Sequence, residues 1–351
     1  MPTKKYKAIL GLISVLGLYP LQAEACSGIG IDPRLSAICR FQEVNTTPQT
    51  ILSLALTHRS LTRVGFKDGI QLFPPNPALN LQITARPTLS FSENINGGLP
   101  NGILGVAGMN FSPNQDQIKQ SGWLVGFELG TYGTYSLGRG SYLDFQAAAT
   151  AQRATDHDLT INTFTARGCG HLHLGRWRYL DICGGRRTVE KELATERLTE
   201  ANLGFSQLWS TNNLSFRLSG GVSLSLSQSG EHQTGFTVES EFIGFDGRNG
   251  GIQFELTNGS TPTAGHGYST RVWLGGNIRD RPFQAFAEFR LAYESEILNV
   301  DRVDRATQLG LAYVPRPDWI ISLGVTRVES SISYYSTTSP FLSIQYQAVT
   351  F

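Results

Sequence analysis

Cys169, His171, His173, Tyr179, Asp181 and Cys183 have the spacing of a reactive or metal-binding cluster. In a hairpin centred on Arg176, Cys169 faces Cys183, His171 faces Asp181 and His173 faces Tyr179. All six alternate opposite to Leu172, Leu174, Leu180 and Ile182 and so share one face, with Arg167 and Arg187 beside them. Directly opposed strand residues have Cβ atoms about 4.5–5.5 Å apart, which suits a disulfide between the two cysteines. Two histidines at alternate strand positions can share a metal, but zinc takes three or four ligands. Asp181 is the one further donor in reach, so no metal is expected. A hydrolase would need a nucleophile setting such as G-x-S-x-G, and the chain has none. The expectation is a non-enzyme without a cofactor. Two readings remain for the cluster: a staple that holds a working His/Asp/Arg group, or a stapled hairpin with solvated polar neighbours.

Such a hairpin needs long strands, and the chain supplies them at a regular interval. Leu137-Gly-Arg-Gly-Ser-Tyr-Leu-Asp144 returns as Leu174-Gly-Arg-Trp-Arg-Tyr-Leu-Asp181. Turn residues recur at Thr211–Asn213, Gly247–Gly250, Arg279–Pro282 and Pro315–Asp318, with longer polar segments between them. Two strands, one short turn and one longer loop account for each unit, whereas a propeller blade would hold four short strands. Within the units, Leu79, Leu81, Ile83, Ala85, Pro87, Leu89 and Phe91 alternate strictly with polar residues. The predicted strands are 79–93, 123–137, 142–153, 159–174, 178–190, 197–210, 213–227, 235–246, 250–258, 266–278, 282–294, 302–314, 318–329 and 341–351. The fold class is all-β: an antiparallel up-and-down outer-membrane β-barrel of 14 strands, with 16 as the alternative if residues 103–112 and one further segment join the wall. Residues 94–122 read as one long first external loop.

Composition agrees, with 38 Gly, 19 Phe, 12 Tyr and 16% charged residues. A net charge of +1 supplies no basic field for nucleic acid. Lys4, Lys5 and Lys7, an apolar stretch Ala8–Leu18 and Ala23-Glu24-Ala25 read as a signal peptide over 1–25, cleaved after Ala25. The acid at Glu24 argues against lipidation of Cys26. Export makes disulfides the default, and local spacing suggests Cys26 with Cys39 and Cys169 with Cys183. Residues 26–78 form a separate segment with a short helix expected from Thr47-Pro48 to Leu61 and a Phe73–Pro77 break before the barrel at 79–351. That segment is compatible with a lumenal plug, a periplasmic docking element or a loosely ordered leader. Tyr346, Val349 and Phe351 make up the terminal strand signal read by the barrel-insertion machinery. The alternation slips between Tyr346 and Val349, and a bulge near Ala348 would restore it.

Inward charges expected on other strands are Glu128, Asp144, Glu200, Arg217, Glu239, Glu241, Glu255, Arg271, Glu288 and Arg290. Both signs are present, which argues against strong ion selectivity.

Arg86-Pro-Thr-Leu-Ser-Phe-Ser-Glu-Asn-Ile-Asn-Gly-Gly98 and Phe111-Ser-Pro-Asn-Gln-Asp-Gln-Ile-Lys-Gln-Ser-Gly-Trp123 resemble the barrel domain of surface lipoprotein assembly modifier proteins. The resemblance implies a 14-stranded outer-membrane barrel that helps lipoprotein cargo reach the cell surface. The chain lacks the tetratricopeptide repeats that precede that barrel. A porin-like diffusion channel for small polar solutes is the alternative, and outer-membrane lipids are the surroundings in either case.

Overall fold

A strand with one apolar and one polar face is stable in a bilayer when its sheet closes, because closure pairs every backbone N–H and C=O without water. The computed structural model describes Asp32, Arg34, Leu35 and residues 79–99, 104–106, 109–138, 141–211, 213–228, 232–244, 246–259, 266–279, 281–297, 300–316, 319–346 and 349–350. The signal peptide, the Cys26–Cys39 pair, the 47–61 helix, the 73–77 break and Phe351 lie outside the described residues.

The strands in order are β1 (Leu79–Ser92), β2 (Leu104–Val106), β3 (Met109–Phe111), β4 (Gly122–Gly138), β5 (Ser141–Ala154), β6 (Thr160–Gly175), β7 (Arg178–Glu190), β8 (Thr195–Ser210) and β9 (Leu214–Ser227). They continue as β10 (His232–Gly244), β11 (Asn249–Gly259), β12 (His266–Ile278), β13 (Arg281–Ile297), β14 (Val300–Arg316), β15 (Trp319–Ser330), β16 (Thr337–Tyr346) and β17 (Val349–Thr350). From β4 to β16 each strand pairs with the next, and β1 pairs with β4 on one side and with β16 and β17 on the other. β17 continues β16, so the wall has fourteen antiparallel strands and is closed. β2 and β3 pair with each other in a separate small sheet, which rules out the 16-stranded alternative.

The closing seam carries the expected irregularity. Leu89 lies opposite Ile344, yet Ala85 lies opposite Val349, so the terminal strand holds one more residue than β1 over this stretch. That is a bulge, between Ile344 and Val349. The segment 94–122 departs from a plain loop: it contains β2, β3 and a 3₁₀ turn at Gln115–Gln117. β16 begins at Thr337 rather than 341, because a 3₁₀ turn at Ser333–Tyr335 shortens the preceding loop.

Burial is inverted relative to a water-soluble protein. Leu274 is 60% exposed and Leu129 54%, while Glu241 is 2% exposed and Arg34 3%. Leucines that open and charges that hidden fit a wall with hydrocarbon outside. Trp209, Tyr135 and the Trp319–Tyr346 ring pair flank the outer surface towards the short turns, and Trp123 and Tyr293 flank it towards the long loops. These are the aromatic girdles of a transmembrane barrel in the outer membrane.

Inside, one row crosses four strands in register: Phe286 opposite Gly310, Gly310 opposite Gly324, Gly324 opposite Phe341. The two rings lie over the two glycines, and a Cβ on Gly324 would overlap the Leu309 carbonyl oxygen and the Phe341 ring. Gly324→Ala should therefore cost about 1–3 kcal/mol, the usual range for overpacking, read as a lower denaturant midpoint of the heat-modifiable band. An unchanged midpoint would show that the ring moves freely.

Candidate functional site

The β6–β7 hairpin turns through Arg176 and Trp177, with φ of 51° and 60°. Two central residues at positive φ make a type I′ turn closed by Gly175 opposite Arg178, and a bulge between His173 and Gly175 shifts the register by one residue. Cys169 then faces Cys183, His171 faces Asp181 and His173 faces Tyr179. Cys169 and Cys183 form a disulfide with Cα atoms 4.1 Å apart. His173 and Tyr179 bring their rings to 5.2 Å.

One strand pair further, Asp144 joins the cluster from β5. His171 Nδ1 lies 2.6 Å from Asp181 Oδ1 and its Nε2 lies 2.7 Å from Asp144 Oδ2. Tyr142 stacks on the imidazole at 4.4 Å. Each of these short contacts needs a hydrogen between its two atoms, so both ring nitrogens are engaged. With no free ring nitrogen, His171 cannot serve as base to a hydroxyl. The nearby Ser206 hydroxyl instead donates to Asp181 Oδ2 at 2.9 Å. Asp144, Cys169 and His171 bring donor atoms within 4.8 Å of one another, but the Cys169 sulfur is spent in the disulfide and supplies no thiolate.

A segment far upstream completes the site. Arg34 Nη1 donates to Asp181 Oδ1 at 2.9 Å and to Ser206 Oγ at 3.1 Å, and its guanidinium lies 4.7 Å from the centre of the Tyr179 ring. Asp32 accepts from Arg34 Nη2 at 2.8 Å and lies 3.5 Å from Arg217 Nη1. Arg217 in turn donates from Nη2 to Glu239 at 2.8 Å and from Nε to Glu241 at 3.0 Å. The chain of charges thus runs Asp144, His171, Asp181, Arg34, Asp32, Arg217, then Glu239 and Glu241. It sits near the short turns, and Asp32, Arg34 and Leu35 lie inside the barrel with Leu35 wholly buried. Burial alone would raise the Asp32 pKa, but the Arg34 and Arg217 guanidiniums outweigh it and hold the carboxyl well below the usual range.

Arg167 and Arg187 do not join this network. Arg167 points at Cys183 Sγ, 3.5 Å away, and both arginines are exposed on the lumen face beyond the disulfide. They sit too far along the hairpin from Asp181 to pair with it. Asp32, Arg34, Tyr142 and Ser206 belong to the site without having been singled out in the sequence. Tyr142 occupies, within the repeated Leu137–Asp144 stretch, the place that Tyr179 holds in the second copy, which is a signal that could have found it.

At the opposite end the first loop folds into the mouth. Ile95 is fully buried against inward-facing Leu124, Ala154, Leu159 and Ile161, with Val189 beside them. Asn96 holds the loop in shape: its Nδ2 donates to the Ile118 carbonyl at 2.8 Å and its Oδ1 accepts from the Gln120 N–H at 3.0 Å. Lys191 Nζ and Leu193 N–H then bond to the Asn94 and Asn96 carbonyls, each at 2.9 Å. Both intrusions therefore lean on the β4–β9 side of the wall. Towards the long loops a cavity of about 1010 Å³ spans β8 to β13, with Glu196, Ser227, Glu255, Ser269, Glu288 and Arg290 in its lining.

No family model matches the chain, and no curated protein matches it. Among solved structures it is similar to a BenF-like porin from Pseudomonas fluorescens Pf-5, with 7% identity over 76% of this chain and 98% of that one at a TM-score of 0.41. It is also similar to Pseudomonas aeruginosa OccK10 (OpdN), with 7% identity over 79% and 100% at 0.41, and to Pseudomonas aeruginosa OprD, with 10% identity over 78% and 95% at 0.37.

Arg217→Ala leaves Glu239, Glu241 and Asp32 without their shared cation and should cost about 3–5 kcal/mol, as for breaking a buried pair. Adding Glu239→Gln and Glu241→Gln should recover part of that loss in the same unfolding assay. No recovery would mean that the arginine acts through packing. Because the Asp32 pKa is depressed, its contribution to docking is complete above about pH 4 and falls as pH drops further. Amide exchange at Arg34 and Leu35, corrected for intrinsic rate, should stay slow from neutral pH down to that point. Loss of protection already at pH 6 would contradict the pairing.

Proposed function

We propose that this barrel is an outer-membrane diffusion channel for small polar solutes, narrowed near the short turns by the segment around Asp32–Leu35. The carrying observation is the asymmetry of the lumen. Among the described residues, Asp32 and Arg34 bond to β7–β9 and the first loop packs on β4–β8, with Glu93 at its start held by Ser339 of β16, whereas the inner faces of β11–β14 carry Glu255, Ser269, Arg271, Glu288, Arg290 and Gln308. A polar wall of mixed sign serves water and small hydrophilic solutes and gives only weak preference between ions.

A second reading, in which the barrel assists lipoprotein display, rests on the two segments that resemble the assembly modifiers. Residues 86–98 and 111–123 form the upper part of β1 and the loop that folds into the mouth, a place where cargo would meet the barrel. Swelling of proteoliposomes carrying the refolded chain separates the two readings. A channel admits neutral sugars and amino acids at rates that fall with solute size. Arg271→Gln with Arg290→Gln should tilt ion preference towards cations by roughly twofold or more. Impermeable liposomes, together with loss of a lipoprotein from the surface of deletion cells, would favour assembly instead.

A further inference from the structure

The outer wall of β12–β15 carries a groove of about 650 Å³ at the loop-side margin of the apolar belt. Its floor is Phe289, Leu291, Leu309 and Val325, and its upper rim is Arg305, Arg327 and Glu329. The register fixes these arginines on the lipid-facing side. Arg305 lies opposite Leu291 on one flank and opposite Glu329 on the other, and Arg327 lies opposite Thr307. Arg305 and Arg327 are thus diagonal neighbours on adjacent strands, a separation of about 7–8 Å at the backbone that long side chains close easily. Below them the same outward face reads Leu309 and Leu311 on β14, and Val325 and Leu323 on β15.

The charges on this rim are unbalanced. Arg327 Nη2 pairs with Glu329 Oε1 at 2.6 Å and stays 65% exposed. Arg305 is exposed and makes no hydrogen bond or ion pair among the described residues. One guanidinium is therefore uncompensated directly above an apolar floor, at the level where acyl chains give way to headgroups. A guanidinium in that position is stable when it meets an anionic headgroup, and its planar fork matches phosphate oxygens better than an ammonium does.

We propose that this groove is a binding site for a phosphorylated glycolipid of the outer leaflet. Its phosphate engages Arg305 and Arg327, and an acyl chain lies along Phe289, Leu309 and Val325. The site is on the outside of the wall, and it stands whether or not the lumen conducts. Charge complementarity selects the occupant, since a neutral lipid would leave Arg305 unpaired and a soluble phosphate would leave the apolar floor uncovered.

Native mass spectrometry of the refolded full chain in non-ionic detergent tests this, with a diphosphorylated glucosamine-disaccharide lipid as the probe. Wild type should retain one such lipid per barrel. Arg305→Gln with Arg327→Gln should weaken binding by about tenfold or more, Arg305→Lys with Arg327→Lys should retain part of it, and Glu329→Gln should tighten it. Heat-modifiable migration confirms that each variant still forms the barrel, and single substitutions serve if the double variant does not fold. Unchanged retention by the glutamine variants would overturn the proposal. So would equal retention of the dephosphorylated lipid, or complete displacement of the lipid by millimolar inorganic phosphate.

Discussion

A buried charge inside this barrel needs a partner at hydrogen-bond distance, and that requirement fixes where Asp32 and Arg34 dock. Asp144, Asp181, Glu239 and Glu241 face inward from the wall near the short turns, where His171 and Arg217 alone supply wall-borne positive charge to them. Asp181 is the carboxylate that Arg34 meets, at 2.9 Å, with the Ser206 hydroxyl beside it. Asp32 comes along as the acid that ties Arg34 to Arg217 and links the two halves of the network. The disulfide, the type I′ turn and the stacked Tyr142 ring hold the wall side in register, so that the incoming guanidinium meets a preformed acceptor.

The wall was legible in the sequence because one physical rule governs every strand. Hydrocarbon outside and water inside impose a period of two, and the same period appears in residues 79–91, 123–129 and 319–325 without reference to any distant partner. The register of the 169–183 hairpin was equally legible, since a short turn leaves few pairings and opposed cysteines choose among them. Even the defect near the carboxy-terminus showed as a slip in alternation before the bulge gave it a cause.

The docking of Asp32 and Arg34 was not legible. Arg34 and Asp181 are 147 residues apart, and neither strand period nor turn chemistry links a short upstream stretch to one place in a lumen. Grouping Arg167 and Arg187 with His171 followed from sharing a face, but a face runs the length of a strand. Distance along the strand separates them from the acids, as the ion pairs show. The mouth loop was hidden for a related reason: Ile95 is one apolar residue among Asn and Gly, and its partners Leu124, Ala154 and Ile161 read as ordinary inward positions until the loop covers them.

The proposed route runs along the inner wall of β11–β14, away from Asp32, Arg34 and the first loop, and that geometry makes a direct electrical test possible. Single-channel recording of the refolded full chain in planar bilayers, beside Arg34→Ala, addresses it. The account predicts small, stable conductance steps for the wild type and larger steps for the variant, which lacks the Arg34 anchor on Asp181. A barrel that is correctly folded but silent in both forms, or steps of equal size in both, would contradict it.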